Sequence, residues 1–257
     1  MFEQTINTDR LIDKPFSLLT KQEKEIIINC WKNPFCARFN AINNPRDTVE
    51  ELSSRKEPTF SLKDMSKKSL DTFKDTNYFR AVFNKNTGEL VGVCRFGMYY
   101  EKQKKDVWDF ALFNIIMKHW GNAYGVEILS AVCEFAKMKG IKYLYAGANN
   151  DNFASYHAMI KIGFKYAGLE DGDFAFRRDL TKHMPTKEEI DEEWQKHIRR
   201  YIRKFGKRKF ERLNKINKLT KEMVDRIKQG EDETKLVEEY YKICNQIEVF
   251  PEKCIGE

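Results

Sequence analysis

Apolar residues recur along this chain in two distinct periods. Residues 78–83 and 90–100 are short extended runs separated by Asn86-Thr87-Gly88, a spacing that predicts a β-hairpin. Residues 107–117 are almost unbroken apolar and aromatic, with Asp109 and Asn114 the only strongly polar members, and predict a third long strand. Residues 126–137 then switch to helical spacing, with Ile128, Leu129, Val132, Phe135 and Ala136 on one stripe and Gly140 as the stop. A short strand at 141–146, a second helix at 151–162 ended by Gly163, and closing strands at 164–167 and 174–178 complete the series. Ahead of it, 10–16 reads as a strand that Pro15 ends or confines to an edge, and 21–32 as a helix with Thr20 as a possible cap. Residues 43–70 are polar and mixed.

Beyond Pro185 the pattern changes. Ile190, Trp194, Ile198, Tyr201, Ile202 and Phe205 recur at three and four, and Gly206 interrupts them. Leu213, Ile216, Met223 and Ile227 resume the period up to Gly230, and Leu236, Tyr240, Ile243, Ile247 and Phe250 predict a third helix. The expected architecture is an α/β (α+β) domain over 1–182, with a mixed, mainly antiparallel central sheet flanked by helices. A helical extension over 186–257 follows it.

Charge sharpens this division. The chain of 257 residues has a net charge of +7, yet 195–229 holds 14 Lys and Arg against three acids, a net of +11 that leaves −4 elsewhere. The basic character therefore belongs to the extension. Arg199-Arg200, Arg203-Lys204 and Lys207-Arg208-Lys209 form its densest cluster, which reads as a solvated helical face, as a contact for RNA or an acidic partner, or as part of a helical hairpin packing in cis or on a second subunit. The six cysteines form no C-x-x-C pair and have no His partner at zinc spacing, which predicts reduced thiols and no metal. Without an apolar leader or a membrane-length run, a soluble cytoplasmic protein without membrane contact is expected.

The candidate chemistry lies at HWGNAYGVEIL, residues 119–129, where a predicted strand turns into a helix. Unpaired N–H groups and the partial positive charge of a helix N-terminus favour an anion there. Gly121, Ala123 and Gly125 keep the backbone approachable, and Asn122 tolerates unusual angles. Such turns also occur without a ligand. A second polar cluster, Asn150-Asp151-Asn152-Phe153-Ala154-Ser155, opens the next helix and is explained equally well by capping.

Taken together, His119-Trp120-Gly121-Asn122-Ala123-Tyr124-Gly125-Val126-Glu127, then Asp151-Asn152-Phe153-Ala154-Ser155, then Ile162-Gly163-Phe164, resemble the GNAT acetyltransferase superfamily. With Thr8-Asp9-Arg10-Leu11 at the start, the pattern looks most like the branch of ribosomal-protein N-terminal acetyltransferases of the Rim type, over roughly 6–180. The resemblance implies acetyl-CoA held in a V between the strands at 107–117 and 141–147. Its pyrophosphate would lie on the backbone of Trp120, Gly121, Asn122, Ala123, Tyr124, Gly125 and Val126. Its pantetheine arm would run along Ile115, Ile116 and Met117, with Asn152 and Ser155 on its far side.

Two positions depart from the family pattern. Ala123 stands where the family's loop has a glycine, which requires a negative φ and an N–H turned into the loop. Met159 stands where many members place a tyrosine acid, so Ser155 becomes the expected proton donor, with Tyr156 in reserve. Asp109 is the expected general base, and Asp106 and Glu127 are alternatives; a one-residue shift at Asp109 would turn its side chain to the other sheet face. Cys94 and Cys133 read as packed thiols. The expected activity is direct acetyl transfer in a ternary complex to a primary amine, which could be a protein N-terminus, a polyamine or an aminoglycoside. A non-catalytic binding module whose basic tail contacts RNA or the ribosome, and a homodimer, remain open from sequence.

Overall fold

The structure is a computed structural model that describes residues 4–15, 18–23, 77–98, 106–148, 150–170, 172–232, 235–236, 239 and 242–243. Most of the helix expected at 21–32, the mixed stretch at 43–70 and most of the third extension helix lie outside the described residues.

The described strands are β1 (Ile6–Asn7), β2 (Leu11–Pro15), β3 (Asn77–Asn84), β4 (Leu90–Met98), β5 (Val107–Ile115), β6 (Tyr143–Gly147), β7 (Lys165–Glu170) and β8 (Asp173–Asp179). They form one sheet in the order β1-β2-β3-β4-β5-β6-β8-β7. Every neighbouring pair is antiparallel except β5 and β6, which are parallel and joined by helix α1 (Tyr124–Met138). This is the mixed, mainly antiparallel sheet expected. A parallel pair needs a crossover, and the helical stripe of α1 supplies it. Pro15 is the last residue of β2, and β5 ends at Ile115, two residues earlier than expected, where a 3₁₀ turn at Met117–His119 begins.

Period-two alternation sends Leu11, Val82, Cys94, Phe96, Trp108, Phe110, Leu144, Ala146 and Phe176 to one face. There they meet the buried stripe of α1 (Ile128, Leu129, Val132, Cys133, Phe135, Ala136) and of helix α2 (Phe153–Lys161). The opposite face carries a smaller cluster of Leu19, Ala81, Phe83, Leu90 and Val93. Cys94 and Cys133 are buried free thiols whose pKa values burial pushes up, as packed residues require.

The extension folds onto the same helical layer. Helix α3 (Lys187–Phe205) starts with a capping box in which Thr186 and Glu189 exchange side-chain and backbone hydrogen bonds. It lays Tyr201 and His197 on α2 and β8, with the Phe153 and Tyr201 rings 4.9 Å apart and those of Tyr156 and His197 4.6 Å apart. Gly206, at φ +88°, turns the chain into helix α4 (Lys207–Lys228), and Leu213 of α4 joins the main core.

Candidate active site

The two parallel strands part company. β5 and β6 pair over only four residues, from Val107 with Tyr143 to Phe110 with Ala146. β5 then runs on to Ile115 against β4 alone, while Gly147 of β6 pairs with β8. The carboxyl ends of both strands lead directly to helix N-termini, α1 after β5 and α2 after β6. An open cleft at the carboxyl ends of parallel strands, faced by helix N-termini, is where α/β sheets hold anionic ligands.

The turn into α1 differs from expectation at Ala123. Its φ is +59° and ψ 14°, so it is left-handed rather than negative in φ, and it serves as the N-cap of α1. The reason is the turn's shape. Among the described residues Ala123 alone of the non-glycines has positive φ, so φ alternates in sign over Gly121 (+79°), Asn122 and Ala123. Left-handed and right-handed residues in succession point their N–H groups toward a common concavity that suits an anion. The alanine carries a conformational cost of about 1–2 kcal/mol, which the surrounding contacts hold in place.

Those contacts come from both ends of the chain. Arg10 donates through Nη2 to Asn122 O at 3.0 Å and through Nε to Glu127 Oε2 at 2.7 Å. Thr8 Oγ1 donates to Glu127 Oε1 at 2.5 Å, and Arg10 N–H donates to the same oxygen at 3.1 Å. The Arg10 guanidinium also lies 4.7 Å from the centre of the Tyr124 ring. From the extension, Lys228 Nζ donates to Trp120 O at 2.6 Å. Trp120 Nε1 donates to Ile115 O at 2.6 Å, Ile116 N–H donates to Val91 O, and Ile116 O accepts from His119 N–H. These bonds commit polar groups of Ile115 and Ile116 to holding the turn.

At the other helix, Asn152 is the N-cap of α2 and accepts from Ser155 N–H at 3.2 Å. Ser155 is half-buried in the first turn. Tyr156, the reserve acid, is instead a core residue. Fully buried, it donates its hydroxyl proton to Ala148 O and lies 3.2 Å from Phe174 O. Burial pushes its pKa far above the usual phenol range, and its hydroxyl is engaged by those two carbonyls inside the core. Met159 is buried in the same core.

Asp109 sits one residue before the last paired position, where β5 and β6 part. Its neighbours Trp108 and Phe110 point into the α1 face, so Asp109 occupies the opposite face, in register with Tyr145 and flanked by Arg95 and Tyr143 on the adjoining strands, with Arg177 one strand further on beyond Tyr145. Burial raises its pKa to about 6, against the pull of Arg95 and with help from Glu170. A carboxylate poised near neutrality suits proton abstraction. The two alternatives differ. Asp106 lies at the amino end of β5, with its carboxylate 3.3 Å from Lys142 Nζ. For Glu127, burial works upward, but the hydrogen bonds from Thr8 and Arg10 outweigh it and hold the pKa below the usual carboxylate range.

Comparison with known proteins decides the family. Residues 19–165 match the family model of the acetyltransferase (GNAT) domain, well over half of the chain. The chain belongs to the GNAT acetyltransferase family. YoaA of Bacillus subtilis (strain 168), an uncharacterized N-acetyltransferase, is 26% identical over 165 residues, covering 64% of this chain and 84% of YoaA. A GNAT-family acetyltransferase from Bacillus anthracis superposes with a TM-score of 0.52 at 15% identity, covering 70% of this chain and all of that one. A GCN5-related N-acetyltransferase from Brucella melitensis gives 0.51 at 12% identity, covering 76% and 85%.

GNAT acetyltransferases use acetyl-CoA, and the residues present suit its phosphates. Gly121 leaves the backbone bare, φ alternates beside it, and the cations of Arg10 and Lys228 flank the turn. The sequence alone assigns no role to Arg10 or to Lys228. Arg10 sits in the quoted Thr8–Leu11 pattern, but no local signal marks Lys228, which lies beyond the matched residues. Among the described residues no helix is long and apolar enough to cross a membrane.

The basic cluster of the extension is partly spent inside the molecule. Arg200 bonds Glu193 at 2.8 Å and lies 4.4 Å from the Tyr166 ring centre. Lys204 donates to Gly172 O, and Lys209 lies 3.3 Å from Asp151, which also accepts from Tyr201 at 2.7 Å. Arg199, Arg203 and Arg208 remain exposed.

Proposed function

We propose that this GNAT enzyme transfers acetyl from acetyl-CoA to a primary amine by direct attack in a ternary complex. The observation that carries the reading is the parting of β5 and β6 beyond Phe110 and Ala146, with Asp109 beside the fork. Acetyl-CoA supplies the acyl group as a thioester. The turn at 120–126 holds its phosphates, and Asn152 and Ser155 line its far side. An amine attacks only when neutral, and Asp109, poised near neutrality, takes its proton directly or through water. Ser155 supplies a proton to the departing sulfur.

For the acceptor we favour a protein N-terminus over a polyamine. Arg95 shares the sheet face of Asp109 within its electrostatic reach, and a polycation would meet that charge. A peptide presents one amine and carbonyl groups that arginines can bind. The exposed Arg199, Arg203 and Arg208 would suit an acceptor carried on an RNA-rich particle. An assay of thiol release over peptides, spermidine and aminoglycosides tests this. Turnover with peptides exceeding that with spermidine supports the reading, and the reverse order overturns the acceptor assignment.

A further inference from the structure

Helix α4 of the extension bridges the two helix N-termini of the cleft. At its start Lys209 Nζ lies 3.3 Å from Asp151, just ahead of α2, and the Phe210 ring lies 5.9 Å from that of Phe153. At its last residue Lys228 reaches Trp120 O, just ahead of α1. Its 22 residues span about 33 Å at 1.5 Å each. The family match ends at residue 165, so nothing in the matched domain accounts for this helix.

We propose that α4 forms the outer wall of the cofactor cleft and that Lys228 is a ligand of the acetyl-CoA pyrophosphate. The inference rests on the cofactor reading above. The ammonium of Lys228 carries it. A Cβ built on Gly121 would lie 3.4 Å from Nζ, so this charge sits directly over the bare backbone of the turn. Among the described residues no carboxylate pairs with Lys228. Arg226, one half-turn earlier, is by contrast saturated by Glu231 and Glu239 at 2.8 and 3.0 Å. An ammonium has three donors, and one carbonyl uses one of them. The remaining two can reach a ligand at the turn, whose Asn122 carbonyl Arg10 holds. A doubly charged pyrophosphate between a guanidinium and an ammonium, over alternating backbone N–H groups, satisfies all of these donors. The extension thereby becomes part of the cofactor site in cis, and its own helix C-terminus is stabilised by the same cation.

The test is calorimetry on the full chain with acetyl-CoA and with its form lacking the 3′-phosphate, for the wild type, Lys228→Gln and Lys228→Arg. The expected result is a Kd about five- to tenfold higher for Lys228→Gln with both ligands, and recovery to within about twofold by Lys228→Arg. The melting temperature of ligand-free Lys228→Gln should fall only slightly, for the lost bond to Trp120 O, and Lys228→Arg should restore it. A Lys228→Gln Kd equal to or below the wild-type value overturns the inference, the latter marking α4 as a plug. So does a loss confined to the ligand with the 3′-phosphate, or a loss accompanied by a lower melting temperature that arginine does not restore. A wild type that binds no acetyl-CoA at high micromolar concentration overturns the cofactor reading itself, a result distinct from those.

Discussion

Arg10 and Glu127, 117 residues apart in sequence, lock the β1–β2 turn onto the first turn of α1 through a 2.7 Å hydrogen bond from Nε to Oε2. Glu127 also accepts from Thr8 and the Arg10 backbone, so the carboxylate works as a strut for the turn into α1. Two variants separate this role from catalysis. Arg10→Ala, which removes the guanidinium from both Asn122 O and Glu127, should weaken acetyl-CoA binding severalfold and lower stability by about 1 kcal/mol. Glu127→Gln should weaken binding in the same direction yet leave the acidic limb of the pH–rate profile where it is. A limb displaced by Glu127→Gln would make Glu127 the base.

Ala123 holds a conformation that glycine adopts without cost. Ala123→Gly should raise stability by up to about 1 kcal/mol, the relief of left-handed strain partly offset by added freedom in the unfolded chain. Ala123→Val should lower it, because a β-branched residue at positive φ is more strained still. Thermal melts of both variants check the pair, and equal melting temperatures would mean the turn relaxes in solution.

Gly163, of the Ile-Gly-Phe motif, has φ +88°, and an added Cβ would meet Arg178 Cζ at 3.0 Å. Arg178 is buried there and donates to the carbonyls of Asp179, Lys182 and His183, so it has little room to move. Gly163→Ala should therefore destabilise the protein by about 2 kcal/mol or more, read as a lower midpoint in urea.

His197 is fully buried among the rings of Phe153, Tyr156, Phe174, Phe176 and Trp194. Burial, with Arg200 nearby, pushes its pKa down to about 4. The folded state thus keeps it neutral while the unfolded chain takes up a proton near pH 6.5. Stability from this residue is complete above pH 6.5 and is lost as pH falls toward 4, in total on the order of 3 kcal/mol. Asp13 and Asp109, whose pKa values are raised to about 6, act in the opposite sense over part of that range. The informative quantity is therefore the difference between the wild type and His197→Phe. That difference should shift in favour of the variant between pH 6.5 and 4, and a constant difference would contradict the assignment.

Much of the fold is legible in the sequence because its signals are local. The alternation in β3, β4 and β5, the stripe of α1 and the stops at Gly140 and Gly163 each follow from a few neighbouring residues. So does the capping box at Thr186 and Glu189, which the S/T-x-x-E spacing marks and the sequence reading passed over. The site is less legible because it is assembled across the chain. The left-handed Ala123 lies in a turn that Arg10 and Lys228 grip from 112 and 108 residues away. Tyr156 looks like an available phenol in sequence, and only the packing of β8 and α3 over it shows that its proton is committed. The basic cluster likewise reads as one solvated face, until Asp151, Glu193 and the Gly172 carbonyl claim three of its members.

The measurement that bears most directly on the central claim is the pH dependence of thiol release from acetyl-CoA with a peptide amine, for the wild type and Asp109→Asn. The account predicts that the wild-type rate rises with pH through about 6, as Asp109 loses its proton, and that Asp109→Asn is at least about 100-fold slower with this limb gone. A wild type that releases no thiol with any amine, or an Asp109→Asn variant with the wild-type rate and profile, would contradict it.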